Sequence, residues 1–267
     1  MATDRTLVQI RERSMLDLLD LALVVARRRA GALALAAVVG IAPWAALDAW
    51  LLRRPGVNPW FVLLLLALEA PWATAPLTVV LGALMFGRRA RVGGTLLALA
   101  RGLPAMILYQ GIVRGMFLVI CVLWPFVPAR FCFLDEVILL ERYRFWGALG
   151  RSWTLSRDRG TELFGQWVFQ VVTGALFVAC FWIAAGKLRA VTLGEELSWA
   201  VPDLFDPIFW DEQARGWRAQ VASWLAIAFF GVARFLTYVD QRIRLEGWEV
   251  SLRMMQAGAT LEDPERW

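Results

Sequence analysis

Apolar residues come in long blocks along this chain, and the charges gather between the blocks. Residues 31–52, 61–86, 164–185 and 217–238 each carry two charged side chains or fewer, and about 20 apolar helical residues cross a bilayer core. Each block is therefore read as a membrane span. The longest block, residues 103–140, is about twice the length that one crossing needs. Its charges are Arg114, Arg130, Asp135 and Glu136, and Trp124-Pro125-Phe126-Val127-Pro128 breaks it near its middle.

Whether that block crosses once or twice decides the side of everything after it. A single crossing would put the Arg-rich segments 87–101 and 141–162 on opposite sides of the membrane. Two crossings place both beside the N-terminus and Arg242, Arg244 and Arg253, as positive charge on cytoplasmic loops requires. The loop 186–215, with Glu195, Glu196, Asp203, Asp206, Asp211 and Glu212, then lies outside. These carboxylates lack EF-hand spacing and its turn glycine, so the loop is read as solvated rather than as a cation site. The expectation is an all-α, polytopic integral membrane bundle of about six transmembrane helices, the fourth a short one over 126–140.

Ahead of the first span, residues 14–25 show an amphipathic pattern. Ser14 and Asp17 have capping-box spacing, and Asp17, Asp20, Arg27 and Arg28 fall on one helical face. Met15, Leu18, Leu19, Ala22 and Val25 cover much of the rest. This predicts a helix lying in the membrane plane with Leu18 and Val25 toward the acyl chains. The alternative is a long start to the first span, which Leu16, Leu21 and Leu23 favour by lying off the main apolar face. A cleavable signal is not expected, because acidic and basic residues precede the apolar run and no small-residue cleavage site follows it.

Three regions follow: a cytoplasmic segment over 1–30, a six-helix membrane domain over 31–238, and a charged helical extension and tail over 239–267. Asp240/Arg244, Arg242/Glu246 and Glu249/Arg253 have the spacing of ion pairs along one helix face, so the last span is expected to continue into the cytoplasm. Residues 95–101 are read as a short amphipathic piece, with Pro104 in the first turn of the next helix.

Composition narrows the function. The 267 residues are 59% hydrophobic and 19% charged, too apolar for a soluble domain. The net charge of +5 comes from arginines beside apolar spans, which fits anionic headgroups rather than nucleic acid. There is no histidine, which excludes Ser-His and Cys-His nucleophiles and histidine-ligated metal centres. The three cysteines, Cys121, Cys132 and Cys180, form no CxxC, and neither a disulfide framework nor a zinc site is indicated. No cofactor is expected.

Charged residues inside apolar spans are costly and mark either structure or function. The candidates are Glu69, Arg114, Asp135, Glu136, Glu141, Arg151, Arg234, Asp240 and Glu246. With six spans, Glu69 and Arg114 lie at matching depth below the outer surface, and Gly111 and Gly115 would let a neighbouring helix come close to Arg114. An ion pair between the two is the expectation, although depth says nothing about rotation.

Phe133-Leu-Asp-Glu-Val-Ile-Leu-Leu-Glu141, followed by Ala148-Leu149, Arg151-Ser152-Trp153 and Leu155, resembles a pattern in bacterial polytopic proteins. Those proteins are similar to the membrane domain attached to some glycerophosphoryl diester phosphodiesterases. Arg234-Phe-Leu-x-Tyr238-x-Asp240-x-Arg242-x-Arg244-x-Glu246-Gly247-Trp248-Glu249 looks like the C-terminal signature of relatives in that group. The resemblance implies architecture and no catalytic residue, since the phosphodiesterase activity belongs to a separate soluble domain. On physical grounds Arg151, near the start of the cytoplasmic helix that leads into span five, is expected to pair with Glu141, Glu246 or Glu249.

The expected function is that of a non-enzymatic, multi-pass cell-membrane protein, with both termini cytoplasmic, that scaffolds or assists a membrane-associated complex. Its partners are then the lipid bilayer and a further membrane protein. The alternative is a small transporter or channel whose intramembrane charges line a path. Acids matched to bases argue for the first, and an unpaired acid facing water for the second.

Overall fold

The computed structural model describes residues 14–85, 92–115, 129–194 and 216–246. These residues are all-α. The capping box forms: Ser14 N–H donates to Asp17 Oδ2 at 3.1 Å and Asp17 N–H to Ser14 Oγ at 3.2 Å. It starts α1, Met15–Arg28, whose last-turn Arg27 and Arg28 complement the helix dipole. At Arg29 the backbone leaves helical geometry (φ −123°, ψ 28°). A separate α2, Ala30–Leu52, then begins, so a break at Arg29 divides α1 from the first span. Its position also differs from expectation. Leu18, Ala22 and Val25 are buried in the main core against α8, Trp217–Glu246, so protein rather than acyl chain covers that face.

After α2 the chain reverses through Gly56, at φ +86°, a conformation that favours glycine. Asn58 Oδ1 then accepts from Trp60 N–H at 2.9 Å, and α3 runs over Pro59–Met85. Pro71 and Pro76 lie inside it and each removes one ladder hydrogen bond. Thr74 and Thr78 hydroxyls bond back to Ala70 O (2.8 Å) and Thr74 O (3.2 Å). The helices α2 and α3 touch backbone to backbone: a Cβ on Gly40 would stand 2.0 Å from Ala73 O.

The fourth helix, α4, covers Val92–Met106 and passes straight through Pro104, which is therefore interior and does not open a helix. The ladder disturbed there continues as a π-helix over Ile107–Arg114, a widened turn of the kind that inserted strain produces.

Five helical stretches among the described residues are long and apolar enough to cross a membrane: Ala30–Leu52, Pro59–Met85, Val92–Gly111, Gly160–Leu193 and Trp217–Leu245. The expected fourth span is not among them. In its described part, α5 is a single turn, Leu134–Glu136, followed by a π-helical turn, Val137–Glu141, that ends at Arg142 in the left-handed region (φ 59°). Both ends of this segment are tied to α6, Phe145–Ser156. Arg130 O accepts from Ser152 and Ser156 hydroxyls at 3.2 and 2.9 Å, and Glu141 accepts from Arg151. Its apolar residues pack on protein, and its charges need those partners. The Pro-Pro break at 124–128, the basic cluster at 87–91, the acidic loop beyond Gly194 and the pair Glu249/Arg253 lie outside the described residues.

The next helix, α7, is Gly160–Leu193. It is antiparallel to α8: Arg159, just before it, meets Gln241, then Gln166 meets Thr237 and Gly174 meets Phe230. By contrast α3 and α8 are parallel, since Glu69 shares a cluster with Trp224 while Thr74 meets Gly231 and Arg234. So α2 starts, α3 and α8 finish, and α7 starts at one end of the bundle. The core sits between α3, α5 and α8, around Leu77, Leu134, Val137, Phe235 and Tyr238.

Candidate functional site

The charged residues singled out in the sequence mostly converge near that end. Arg234, on α8, donates from Nε to Glu136 Oε1 at 2.8 Å and brings Nη1 to 3.3 Å from Asp135 Oδ2. Its third contact is Thr74 Oγ1 on α3, at 3.5 Å. The guanidinium thus spans two carboxylates that are 4% and 0% exposed. A planar fork suits this geometry where a point charge would not. The network continues into α4. Gln110 Nε2 donates to Asp135 Oδ1 at 2.7 Å, and Arg114 Nη1 donates to Gln110 Oε1 at 3.3 Å.

Glu141 forms a second hub. Its Oε2 accepts from Arg151 Nε at 3.0 Å, and its Oε1 accepts from the Tyr238 hydroxyl at 2.6 Å with Arg242 Nη1 at 3.6 Å. Glu141 is thus one partner of Arg151, while Glu249 and the Glu246 side chain lie outside the described part. Asp240 forms a third hub: Arg244 Nε lies 2.8 Å away, as the spacing predicts, and Arg159 Nη1 lies 3.8 Å away. Arg159 also reaches Gln241, which in turn donates to Leu155 O at 2.9 Å. Glu246 ends α8, and its side chain lies outside the described part.

Glu69 and Arg114 do not form the expected ion pair. Glu69 stands with Asp48 of α2 and Trp224 of α8, whereas Arg114 joins the Gln110 and Asp135 relay. Depth matched, but rotation placed the two side chains in separate clusters. Sequence reasoning also missed Asp48, Gln110, Arg130 and Tyr238. Asp48 and Arg130 carried a signal there as charges in apolar blocks, and Tyr238 as part of the C-terminal signature, whereas Gln110 carried none.

Between α4, α5, α7 and α8 the Arg234 network borders a cavity of about 110 Å³, lined among others by Tyr109, Arg114, Asp135, Gln166 and Thr237. At roughly 30 Å³ per water this is room for a few molecules. Two guanidiniums, Arg114 and Arg234, face two carboxylates, Asp135 and Glu136, so the charge balances. No group of three or more metal-ligating side chains occurs among the described residues.

No family model, curated protein or solved structure matches the chain. The fold and composition define a polytopic α-helical membrane protein. The two segments that carry the sequence resemblance, 133–155 and 234–249, are the ones that supply most of the charge network.

Proposed function

We propose that this protein is a non-enzymatic scaffold or accessory component of a membrane-associated complex, with its charge network at the cytoplasmic end of the bundle. The observation that carries this reading is the matching of the network. Asp135, Glu136, Glu141 and Asp240 each lie against at least one arginine, and two of those arginines, Arg234 and Arg159, come from far along the chain. Such an arrangement clamps helices together and leaves no acid poised for chemistry. Exposed arginines crowd the same end, at Arg27, Arg28 and Arg29 after α1, at Arg142 and Arg144 before α6, and at Arg157 before α7. They offer a basic surface to acidic headgroups or to an acidic partner.

The junction of α1 with α2 at Arg29 and the last described residue of α8, Glu246, fall at this end, which the reading assigns to the cytoplasm. Single-cysteine labelling in a Cys-free background should find both positions reachable only from the cytoplasmic side. For the scaffold role, protein extracted in native nanodiscs should retain a stoichiometric membrane partner. Changing Arg142 and Arg144 to Gln should release it while folded yield is unchanged. A protein that stands alone in native nanodiscs and passes a solute across vesicles overturns the proposal and favours the transporter reading, for which the polar cavity beside Arg234 is the supporting observation.

A further inference from the structure

One pair of buried acids breaks the pattern of matching. Asp48 is 0% exposed and Glu69 4%, and they face one another across the α2–α3 contact. No arginine or lysine ion-pairs with either among the described residues, whereas the buried acids near the other end all have arginine partners. The third wall is Trp224 of α8, 4% exposed, with its indole N–H turned toward Asp48. Yet both Asp48 oxygens, Glu69 Oε2 and Trp224 Nε1 lack a hydrogen bond of normal geometry. Gln220, one turn earlier on α8 and so on the same stripe as Trp224, leaves its amide oxygen and nitrogen unsatisfied too.

Two bare anions do not persist together in a dry site. A positive charge must sit with them, and none of the described residues supplies it. We infer that Asp48 and Glu69 share one exchangeable proton, forming a proton-binding site inside the membrane domain. A proton fits better than a metal ion. Hard cations gather about six or more oxygens, while the described residues bring two carboxyls together here, with the Gln220 amide one helical turn from Trp224. The Trp224 N–H would also repel a metal ion but can donate to a carboxyl oxygen. Exchange has a short route, because Asp48 lies four residues before Leu52 at the end of α2, about 6 Å along the helix. The other side chains at the site, Trp224 and Gln220, carry no charge. The nearest charges along the chain lie elsewhere: Arg53, the C-cap of α2, is exposed, Arg54 after it lies over the Trp50 ring at 4.4 Å, and Arg218 on α8 lies over the Trp182 ring at 5.8 Å.

This inference does not depend on the scaffold reading. It is tested on the full-length protein in nanodiscs with dicyclohexylcarbodiimide, which modifies protonated carboxyls in apolar surroundings, followed by peptide mass mapping. Glu69 or Asp48 should be modified at mildly acidic pH. Labelling should then fall by about tenfold per pH unit once the site has titrated, and added sodium or lithium at fixed pH should not change it. Absence of labelling at both carboxyls across the pH range overturns the proposal. Protection by sodium or lithium overturns it in favour of a metal-cation site. Asp48→Asn, which removes the like charge that makes a shared proton necessary, should lower Glu69 labelling several-fold at a given pH. Unchanged labelling in that variant would assign the proton to Glu69 alone and overturn the sharing.

Discussion

Arg234 Nε lies 2.8 Å from Glu136 Oε1, across 98 residues of chain. The same guanidinium holds Asp135, so one side chain bridges two buried carboxylates and joins α8 to α5. Removing it strands both. Arg234→Met should therefore destabilise the protein by about 3–5 kcal/mol, the cost of breaking a buried pair from one side. Arg234→Lys should recover only part of that, since an ammonium lacks the fork. The triple variant that adds Asp135→Asn and Glu136→Gln should regain most of the stability. Thermal unfolding in detergent, followed by tryptophan fluorescence, reads all three. A methionine variant as stable as the wild type would show the network to be dispensable.

Tyr238 makes a smaller and cleaner prediction. Its hydroxyl donates to Glu141 Oε1 at 2.6 Å, a hydrogen bond to a charged acceptor, worth about 1.5–3 kcal/mol. Tyr238→Phe keeps the ring, which packs against Phe133 with centroids 5.9 Å apart, and removes this bond together with the longer one that the hydroxyl accepts from Arg242 Nη1 at 3.3 Å. The loss should be seen in Tyr238→Phe and should shrink in a Glu141→Gln background, because the two residues share one interaction. Additive losses would mean that they act separately.

Much of this was legible from residue order. The capping box at Ser14 and Asp17, the spans before and after Gly56, and the Asp240/Arg244 pair rest on local spacing, and local spacing is what sequence displays. The misreadings came from rotation and long-range contact. Residues 126–140 are apolar enough for a span, but Arg130 and Glu141 grip α6, and apolar content does not distinguish burial in lipid from burial in protein. Leu18, Ala22 and Val25 illustrate the same point, since their face packs on α8. Glu69 matched Arg114 in depth, yet nothing in the sequence tells which way α3 is turned. Pro104 looked like a helix opener because a proline tolerated at the first turn is also tolerated inside a widened helix.

Gly40 tests the contact between α2 and α3. A methyl group there would stand 2.0 Å from Ala73 O and 3.1 Å from Pro76 Cδ, neither of which can swing aside. Gly40→Ala should force the helices apart and lower folded yield severely, by more than the roughly 1–3 kcal/mol of ordinary overpacking. Gly31→Ala, on the same helix with nothing within 4 Å of the added carbon, should leave yield unchanged or raise it slightly, as alanine favours the helix. Equal behaviour of the two variants would refute the close approach.

The docking of α1 leads to the last prediction. Leu18, Ala22 and Val25 are buried against α8, while Leu16, Leu23 and Val24 are 64%, 57% and 43% exposed. The helix therefore has a protein face and an outer apolar face, and it is separated from α2 by the break at Arg29. Spin labels at 18, 22 and 25 should be strongly immobilised, and labels at 16, 23 and 24 mobile. Oxygen accessibility at the outer positions should stay near one level if α1 lies in the interface, because an in-plane helix keeps one depth. A steady rise from 16 to 24 would instead tilt the helix into the bilayer as a lead-in to α2. Ala22 is the sharpest single probe, being fully buried. Ala22→Leu should cost about 1–3 kcal/mol by overpacking if the α8 contact is real, and should be neutral if lipid lies there. Label mobility that is uniform around α1, with a tolerated leucine at 22, would mean that the helix floats free of α8.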